Sequence, residues 1–382
     1  MKKNKIVESY GNTFYLKGRG IPKGCHFCLK GAKTVLFLSG LCQKLNQCSW
    51  YCPISMERRN TDITFANEIQ IMRKEDLIEE NKKINAKGMS ITGGDPLLDT
   101  NIEKTINFIK FVKNIEGDKF HIHLYTNGIN FDRAIALKLA NAGLDELRFH
   151  PSKENWRNIE EALNLGMSVG AEVPVIPDKK SMRDLEEFIL YLDRIGVEFI
   201  NLNEFEFCVP NSKSLKEKGY TLKAGTIASV ENSKEMAMDL LEKLASKTSI
   251  KLHFCSTRAK DHFQLKNRYL RRAKVIKLPY EEITPEGLLL FAQIDGSEED
   301  LVKFYNSVKS NFKISEKLIN FNGNNIKLPV KFAIKESFIL LLDKQNNLNG
   351  YIIETIPFRA IYSQITEKTP IKIFKQEFDD FK

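Results

Sequence analysis

From residue 33 to 205 the chain alternates short β-rich runs with helical patterns six times, and that rhythm leaves few architectures open. Strands that run parallel cannot be joined by tight turns and need crossover helices, so repeated β-α units predict an α/β fold around a parallel sheet. The strands read at 34–39, 89–92, 121–125, 146–149, 168–176 and 199–204. Helical stretches fall between them at 69–85, 102–112, 134–142, 156–165 and 182–195. Ile102, Ile106, Ile109 and Val112 recur at the spacing of one helix face. Gly143, Gly166 and Gly196 each stand just past a helical pattern, where a glycine suits a C-cap.

Past residue 210 the regularity stops. A polar connecting loop reads at 212–221, a long helix at 230–247, a strand at 250–255 and a basic helix at 261–274. After 275, short strands alternate with one helix near 298–310, which predicts a small α+β domain. The expected divisions are an N-terminal extension (1–32), a β/α core with its following helices (33–274) and the small domain (275–382).

Composition narrows the class. Hydrophobic residues make up 42% and charged residues 28%, which excludes a collagenous or wholly disordered chain. The net charge of +9 admits an acidic partner such as RNA, an anionic cofactor or a phosphorylated substrate, and equally a merely soluble lysine-rich surface. No apolar run approaches the roughly 18 residues of a membrane span. The basic start, Met1 to Lys5, meets Glu8, Ser9 and Gly11 where a signal peptide would be apolar. A cytoplasmic location with reduced thiols is therefore expected. Five of the seven cysteines lie between Cys25 and Cys52, a clustering that points to metal or redox chemistry.

The strongest feature is Cys42, Cys48 and Cys52 in one loop directly after the first core strand. Three thiolates can each hold one iron of a [4Fe–4S] cube and leave the fourth open to a ligand. Buried thiols acting as small hydrophobes and a zinc site, which takes four ligands, are the competing readings. The second feature, Gly93-Gly94-Asp95-Pro96, closes the next strand about one β-α unit later. Its glycines permit close approach to the backbone and its carboxylate can receive an ammonium group.

Together these residues resemble the radical S-adenosylmethionine (radical SAM) superfamily. The superfamily's usual loop is C-x3-C-x2-C; here five residues separate Cys42 from Cys48 and three separate Cys48 from Cys52. Gly93-Gly94-Asp95-Pro96 resembles its Gly-Gly-Glu-Pro motif, with Asp for Glu, and Tyr51 stands where an aromatic is carried beside the adenine. More narrowly, the chain resembles archaeal radical SAM proteins related to pyruvate formate-lyase activating enzyme. The implied fold is a partial (β/α)6 parallel barrel. The implied cofactors are a [4Fe–4S] cluster and S-adenosylmethionine, cleaved reductively to a 5′-deoxyadenosyl radical that abstracts hydrogen from a substrate. A ferredoxin- or flavodoxin-like electron donor is implied as well; RNA and protein both stay open as substrate, and no membrane is involved.

Strand ends gather sites in parallel β/α folds, so Thr126 and Asn127, Arg148 and His150, Glu172 and Asn203 join the expected cofactor contacts. Cys25 and Cys28 have the spacing of a metal-ligand pair. With Cys255, two residues after His253 on a predicted strand, they form a candidate second site for an iron–sulfur cluster or zinc; Cys208 follows the sixth strand. The basic helix, with Lys266, Arg268, Arg271, Arg272 and Lys274, reads as a solvated face or a phosphate-tracking surface. The different class of function to weigh is a zinc-bearing nucleic-acid-binding module without catalysis, which would leave the β-α repeats unexplained.

Overall fold

A computed structural model of the chain describes residues 5–43 and 47–380. Residues 44–46, inside the expected cysteine loop, lie outside the described residues. The chain forms two compact units, Met1–Leu265 and Lys266–Lys382. The division falls ahead of the 274/275 boundary read from sequence because the basic stretch is two elements. A π-helical turn, Ala259–Leu265, belongs to the first unit, and an α-helix opens the second at Lys266.

The first unit begins with an antiparallel hairpin, β1 (Ile6–Ser9) and β2 (Thr13–Leu16), and a short helix, α1 (Lys23–Leu29). Strand β3 (Lys33–Phe37) leads to a minimal hairpin, β4 (Phe65–Ala66) and β5 (Ile69–Gln70), then α2 (Lys74–Lys83) and β6 (Gly88–Thr92). Next come α3 (Ile102–Glu116), β7 (His121–Thr126), α4 (Arg133–Ala142), β8 (Glu146–Phe149) and a 3₁₀ run, Lys153–Ala162. The series closes with β9 (Ser168–Val175), α5 (Lys179–Arg194), β10 (Phe199–Glu204), α6 (Ser212–Glu217), α7 (Ser233–Leu244) and β11 (Lys251–Cys255).

All eleven strands join one sheet in the order β1-β2-β11-β10-β9-β8-β7-β6-β3-β4-β5. Strands β3 and β6 to β11 run parallel, so β11 adds a seventh to the six expected. The hairpins pair antiparallel onto the two margins, and among the described residues no pairing joins β1 to β5. The residues read as an N-terminal extension thus supply two strands of the main sheet. Three local readings differ from the structure. Residues 69–70 are strand, not helix. The 156–165 stretch winds as a 3₁₀ run, and the polar loop after 210 contains α6.

Strand period and helix period together place the core. Ile122 and Leu124 of β7, Leu147 and Phe149 of β8, Ile200 and Leu202 of β10, and Leu252 and Phe254 of β11 are buried, all pointing to one face of the sheet. Helices α3 (Ile106, Ile109, Val112), α4 (Ala136, Leu139) and α5 (Leu185, Phe188, Ile189, Leu192) cover that face. Each fully buried aliphatic side chain contributes about 1.5–3 kcal/mol. On β7 to β11 many alternate positions are polar: His121, His123, Glu146, Arg148, Glu172, Asn201, Asn203 and His253. The inner face of the sheet is therefore a polar surface, and α1 lies against it. The Gly24 N–H donates to Glu146 Oε2 at 3.0 Å. A Cβ on Gly24 would come within 2.5 Å of the Arg148 guanidinium and 2.6 Å of His123 Nδ1, so only glycine fits there.

In the second unit, α8 (Lys266–Ile276) precedes β12 (Glu282–Ile283), β13 (Leu289–Asp295), α9 (Glu298–Phe312), β14 (Asn320–Phe321) and β15 (Asn325–Leu328). Helices α10 (Val330–Ala333) and α11 (Glu336–Asp343), strands β16 (Asn349–Thr355) and β17 (Ile365–Pro370), and α12 (Ile371–Asp380) follow. Its antiparallel sheet runs β14-β15-β13-β16-β17, with β12 on β13, over a core that includes Ile294, Phe304, Ile326 and Phe338. Within α8, Arg272 is buried: its Nε donates to Pro357 O at 2.6 Å and its guanidinium stacks on Phe358. One of the five basic residues of the predicted basic helix is therefore spent on packing.

Candidate active site at the strand ends

The cysteine loop continues the pairing of β3 with β6 beyond both strands. Leu38 N donates to Thr92 O, Gly94 N to Ser39 O and Asp95 N to Leu41 O, each at 2.8 Å. The two chains run so close that a Cβ on Gly94 would sit 2.0 Å from Leu41 O, and one on Gly93 2.2 Å from Ser39 O. Gly93 also has φ +139°, a backbone that side chains rarely adopt. The Gly-Gly pair therefore seats the cysteine loop.

Asp95 is buried and its carboxylate is engaged inside the protein. It accepts from Leu97 N at 2.7 Å, from Thr126 Oγ1 at 3.1 Å and from Asn127 N at 2.9 Å, tying the end of β6 to the end of β7. Burial pushes this carboxyl up to about 6, against those hydrogen bonds. Pro96 O accepts from Thr105 Oγ1 of α3 at 2.7 Å. In this arrangement the carboxylate expected to meet an ammonium group works as a clamp.

The segments after β7, β8 and β10 then take hold of the loop. After β7, Asn127 Nδ2 donates to Gln43 Oε1 at 2.6 Å and lies 3.9 Å from Cys42 Sγ. After β8, His150 Nε2 is 2.8 Å from Tyr51 Oη with the two rings stacked, and His150 O accepts from Gln47 Nε2 at 3.4 Å. After β10, Asn211 Nδ2 donates to Tyr51 O at 3.1 Å, and Phe205 meets Trp50 and Tyr51 edge-on. Trp50 also stacks on Tyr220, a packing role as read from sequence. Arg59 Nη2 donates to Cys52 O at 3.2 Å.

The three thiols are half-buried. Burial, followed by the neighbouring Cys52 and Cys42, pushes the Cys48 thiol up to about 12, so the three sulfurs share one electrostatic environment. Among the described residues no three His, Cys, Asp or Glu side chains converge on a single ion. A cube does not require that, because it spreads its thiolates over separate iron corners. Three half-buried thiols on one braced loop, with Cys52 and Cys42 acting on Cys48, fit such a cluster, whose bound iron would favour the thiolate form.

Arg148, Glu172 and Asn203 form a second group on the inner face. Arg148, 2% exposed, pairs with Glu146, donating from Nε at 2.6 Å, and donates from Nη1 to Glu172 Oε2 at 2.5 Å. Glu172 also accepts from Asn201 at 2.9 Å and from Asn203 at 3.0 Å. Burial works against the Glu172 carboxylate, but Arg148 and the two asparagines outweigh it and hold the group below the usual carboxylate range. Lys33 joins from β3, with Nζ 2.8 Å from Nδ1 of both His121 and His123 and 2.9 Å from Met89 O. Sequence reasoning missed Lys33, His123, Glu146 and Asn201. The available signal was polar residues at every second position of otherwise apolar strands.

Cys25 and Cys255 do meet, in a small apolar cluster with Ile21, Leu29 and Ala259. Cys25 Sγ accepts from Asn201 Nδ2 at 3.2 Å and from Arg148 Nη2 at 3.5 Å, and Cys255 Sγ from Gln264 Nε2 at 3.8 Å. Burial pushes all three thiols of this region up, Cys255 to about 12. Internal donors engage Cys25 and Cys255, and among the described residues these cysteines, like Cys42, Cys48 and Cys52, form no three-ligand site for a single ion. Cys208, after β10, is half-buried, and its backbone N–H donates to Asn211 Oδ1 at 2.8 Å.

Comparisons with known proteins agree with the radical SAM resemblance. Residues 15–152 match the Radical SAM superfamily. A Methanocaldococcus jannaschii protein, provisionally named a glycyl-radical enzyme activating enzyme, is 36% identical over 318 residues, covering 79% of this chain and 82% of its own length. The GTP 3′,8-cyclase of Staphylococcus epidermidis is 27% identical over 180 residues, 42% of this chain and 52% of that protein. Among solved structures, Streptococcus suis SuiB bound to S-adenosylmethionine is similar at 13% identity and a TM-score of 0.38; the match covers 59% of this chain and half of that one.

Proposed function

The chain belongs to the radical SAM superfamily, and we propose that it takes a hydrogen atom from a glycyl residue of a partner protein. When bound, a [4Fe–4S] cluster supplies the electron that cleaves S-adenosylmethionine to a 5′-deoxyadenosyl radical. In this reading Cys42, Cys48 and Cys52 hold the cluster. Tyr51, Thr126, Asn127, His150 and the Gly93-Gly94-Asp95-Pro96 turn border the S-adenosylmethionine beside it. Arg148, Glu172 and Asn203 belong to the inner-face network, whose Glu172 carboxylate, with its side chain 16% exposed, is the acceptor this reading assigns to a peptide N–H. Neutralised pairs on that inner face keep buried charge from drawing water to a radical. A one-electron reductant of ferredoxin or flavodoxin type completes the set.

The observation that carries the reading is the grip of the chain after β6, β7, β8 and β10 on a single three-cysteine loop. The protein substrate rests on the name of the 36% identical relative. Anaerobically reconstituted protein, given reductant and S-adenosylmethionine, should form 5′-deoxyadenosine, and Cys42→Ala, Cys48→Ala and Cys52→Ala should each abolish it. With extract protein from cells grown on deuterated glycine, deuterium should enter the 5′-deoxyadenosine. Cleavage that survives loss of one of these cysteines refutes the ligand assignment. Deuterium arriving only from the small-molecule or RNA fraction refutes the protein substrate.

A further inference from the structure

We propose that Asn127 sets the reduction potential of the cluster by directing its side-chain amide at the Cys42 sulfur. The proposal rests on Cys42 being a cluster ligand. The amide is fixed from three sides. Its backbone N–H is held by the buried Asp95 carboxylate at 2.9 Å. Its Oδ1 accepts from Ile129 N at 2.9 Å, closing a turn that leaves Nδ2 no choice of direction. Nδ2 then lies 2.6 Å from Gln43 Oε1 and 3.9 Å from Cys42 Sγ.

An N–H aimed at a ligand sulfur stabilises the more electron-rich state of an iron–sulfur centre, so it raises the potential. The effect is largest where water is scarce and the dipole cannot reorient, and the Asp95 clamp beneath Asn127 is fully buried. Asp95 is on this account a positioning residue that acts through Asn127. The side chain one residue past β7, read from sequence as a cofactor contact, also faces Cys42.

The test is an EPR-monitored redox titration of reconstituted wild type, Asn127→Asp and Asn127→Leu, with iron and sulfide counted for each. Asn127→Asp keeps the acceptor for Ile129 N and replaces the donor with a charge; Asn127→Leu removes the donor without adding one. Both should retain four irons per chain and show a midpoint shifted to more negative potential, the Asp variant further. At a fixed poise, each should therefore give a smaller reduced fraction than wild type. An unchanged or more positive midpoint overturns the proposal. So does loss of the cluster from both variants, which would make Asn127 a loop anchor only. A wild type that assembles no cluster on Cys42, Cys48 and Cys52 would instead overturn the reading beneath it.

Discussion

Replacing Gly94 by alanine isolates the seat of the cysteine loop from the rest of the fold. The added Cβ would stand 2.0 Å from Leu41 O and 2.4 Å from its carbonyl carbon, where ordinary contact begins near 3.4 Å. Both atoms are backbone, so the loop must retreat by more than an ångström. That retreat breaks the Gly94–Ser39 and Asp95–Leu41 hydrogen bonds. Each is worth roughly 1 kcal/mol net, and about 1–3 kcal/mol if its polar atoms stay buried without partners. A local cost of roughly 2–6 kcal/mol at the mouth of the loop should displace Cys42 and prevent cluster assembly, while the sheet below stays folded. Gly166→Ala is the control: its φ of +80° makes alanine strained by about 1–2 kcal/mol, yet nothing lies within 4 Å of the new methyl. Iron and sulfide per chain after anaerobic reconstitution, read beside urea unfolding, separate the two. Gly94→Ala with a full complement of iron would refute the reasoning.

Three further outcomes follow from the same geometry. Burial acts to raise the Glu146 carboxyl, but Arg148, His121 and Lys33 outweigh it and hold the group below the usual carboxylate range. Its contribution is therefore present above about pH 4.3 and lost as the pH falls through its depressed value. Glu146→Gln should cost about 3–5 kcal/mol at neutral pH and flatten the acid limb of a stability–pH series; parallel curves for variant and wild type would count against it. Cys25→Ala should leave iron and zinc per chain unchanged while lowering stability by about 1–3 kcal/mol, because Arg148 and Asn201 lose an acceptor. Loss of a metal equivalent would restore the second site. Tyr51→Phe removes the 2.8 Å contact with His150 and should speed loss of the cluster under air without changing its initial iron content, measured by the decay of its visible absorption.

Much of the architecture was legible because the information is local. Val35 to Phe37, Met89 to Ile91 and Ile200 to Leu202 are strand-forming by composition, and Gly143 and Gly196 mark where helices stop. What escaped was fixed by partners far along the chain. The alternation of Ile69 and Ile71 looks helical only if the two-residue strand Phe65–Ala66 is overlooked, and nothing near residue 13 announces that Tyr15 will pair with His253. At the site, the cysteine loop and the Gly-Gly-Asp-Pro turn stood out as motifs, but their contact could not be read from either alone. The inner-face network was hidden for a similar reason. Glu146, Arg148, Glu172, Asn201 and Lys33 come from four strands, and buried charges reveal their neutralising partners only once the strands are side by side. Cys25 and Cys255 make the same point: 230 residues apart in sequence, they share one apolar cluster that no local spacing announces.

The two small hairpins at the margins of the main sheet solve a problem that an unclosed ribbon of parallel strands creates. Raw outer strands would offer unpaired amides and carbonyls to any passing chain and invite stacking of copies edge to edge. At one border the finishing strands are two residues each, too short to template a neighbour. At the other, the chain's own first segment folds back over the last parallel strand. A truncation meant only to tidy the N-terminus would uncover that border, and its expected symptom is aggregation, well before any defect in chemistry could be measured.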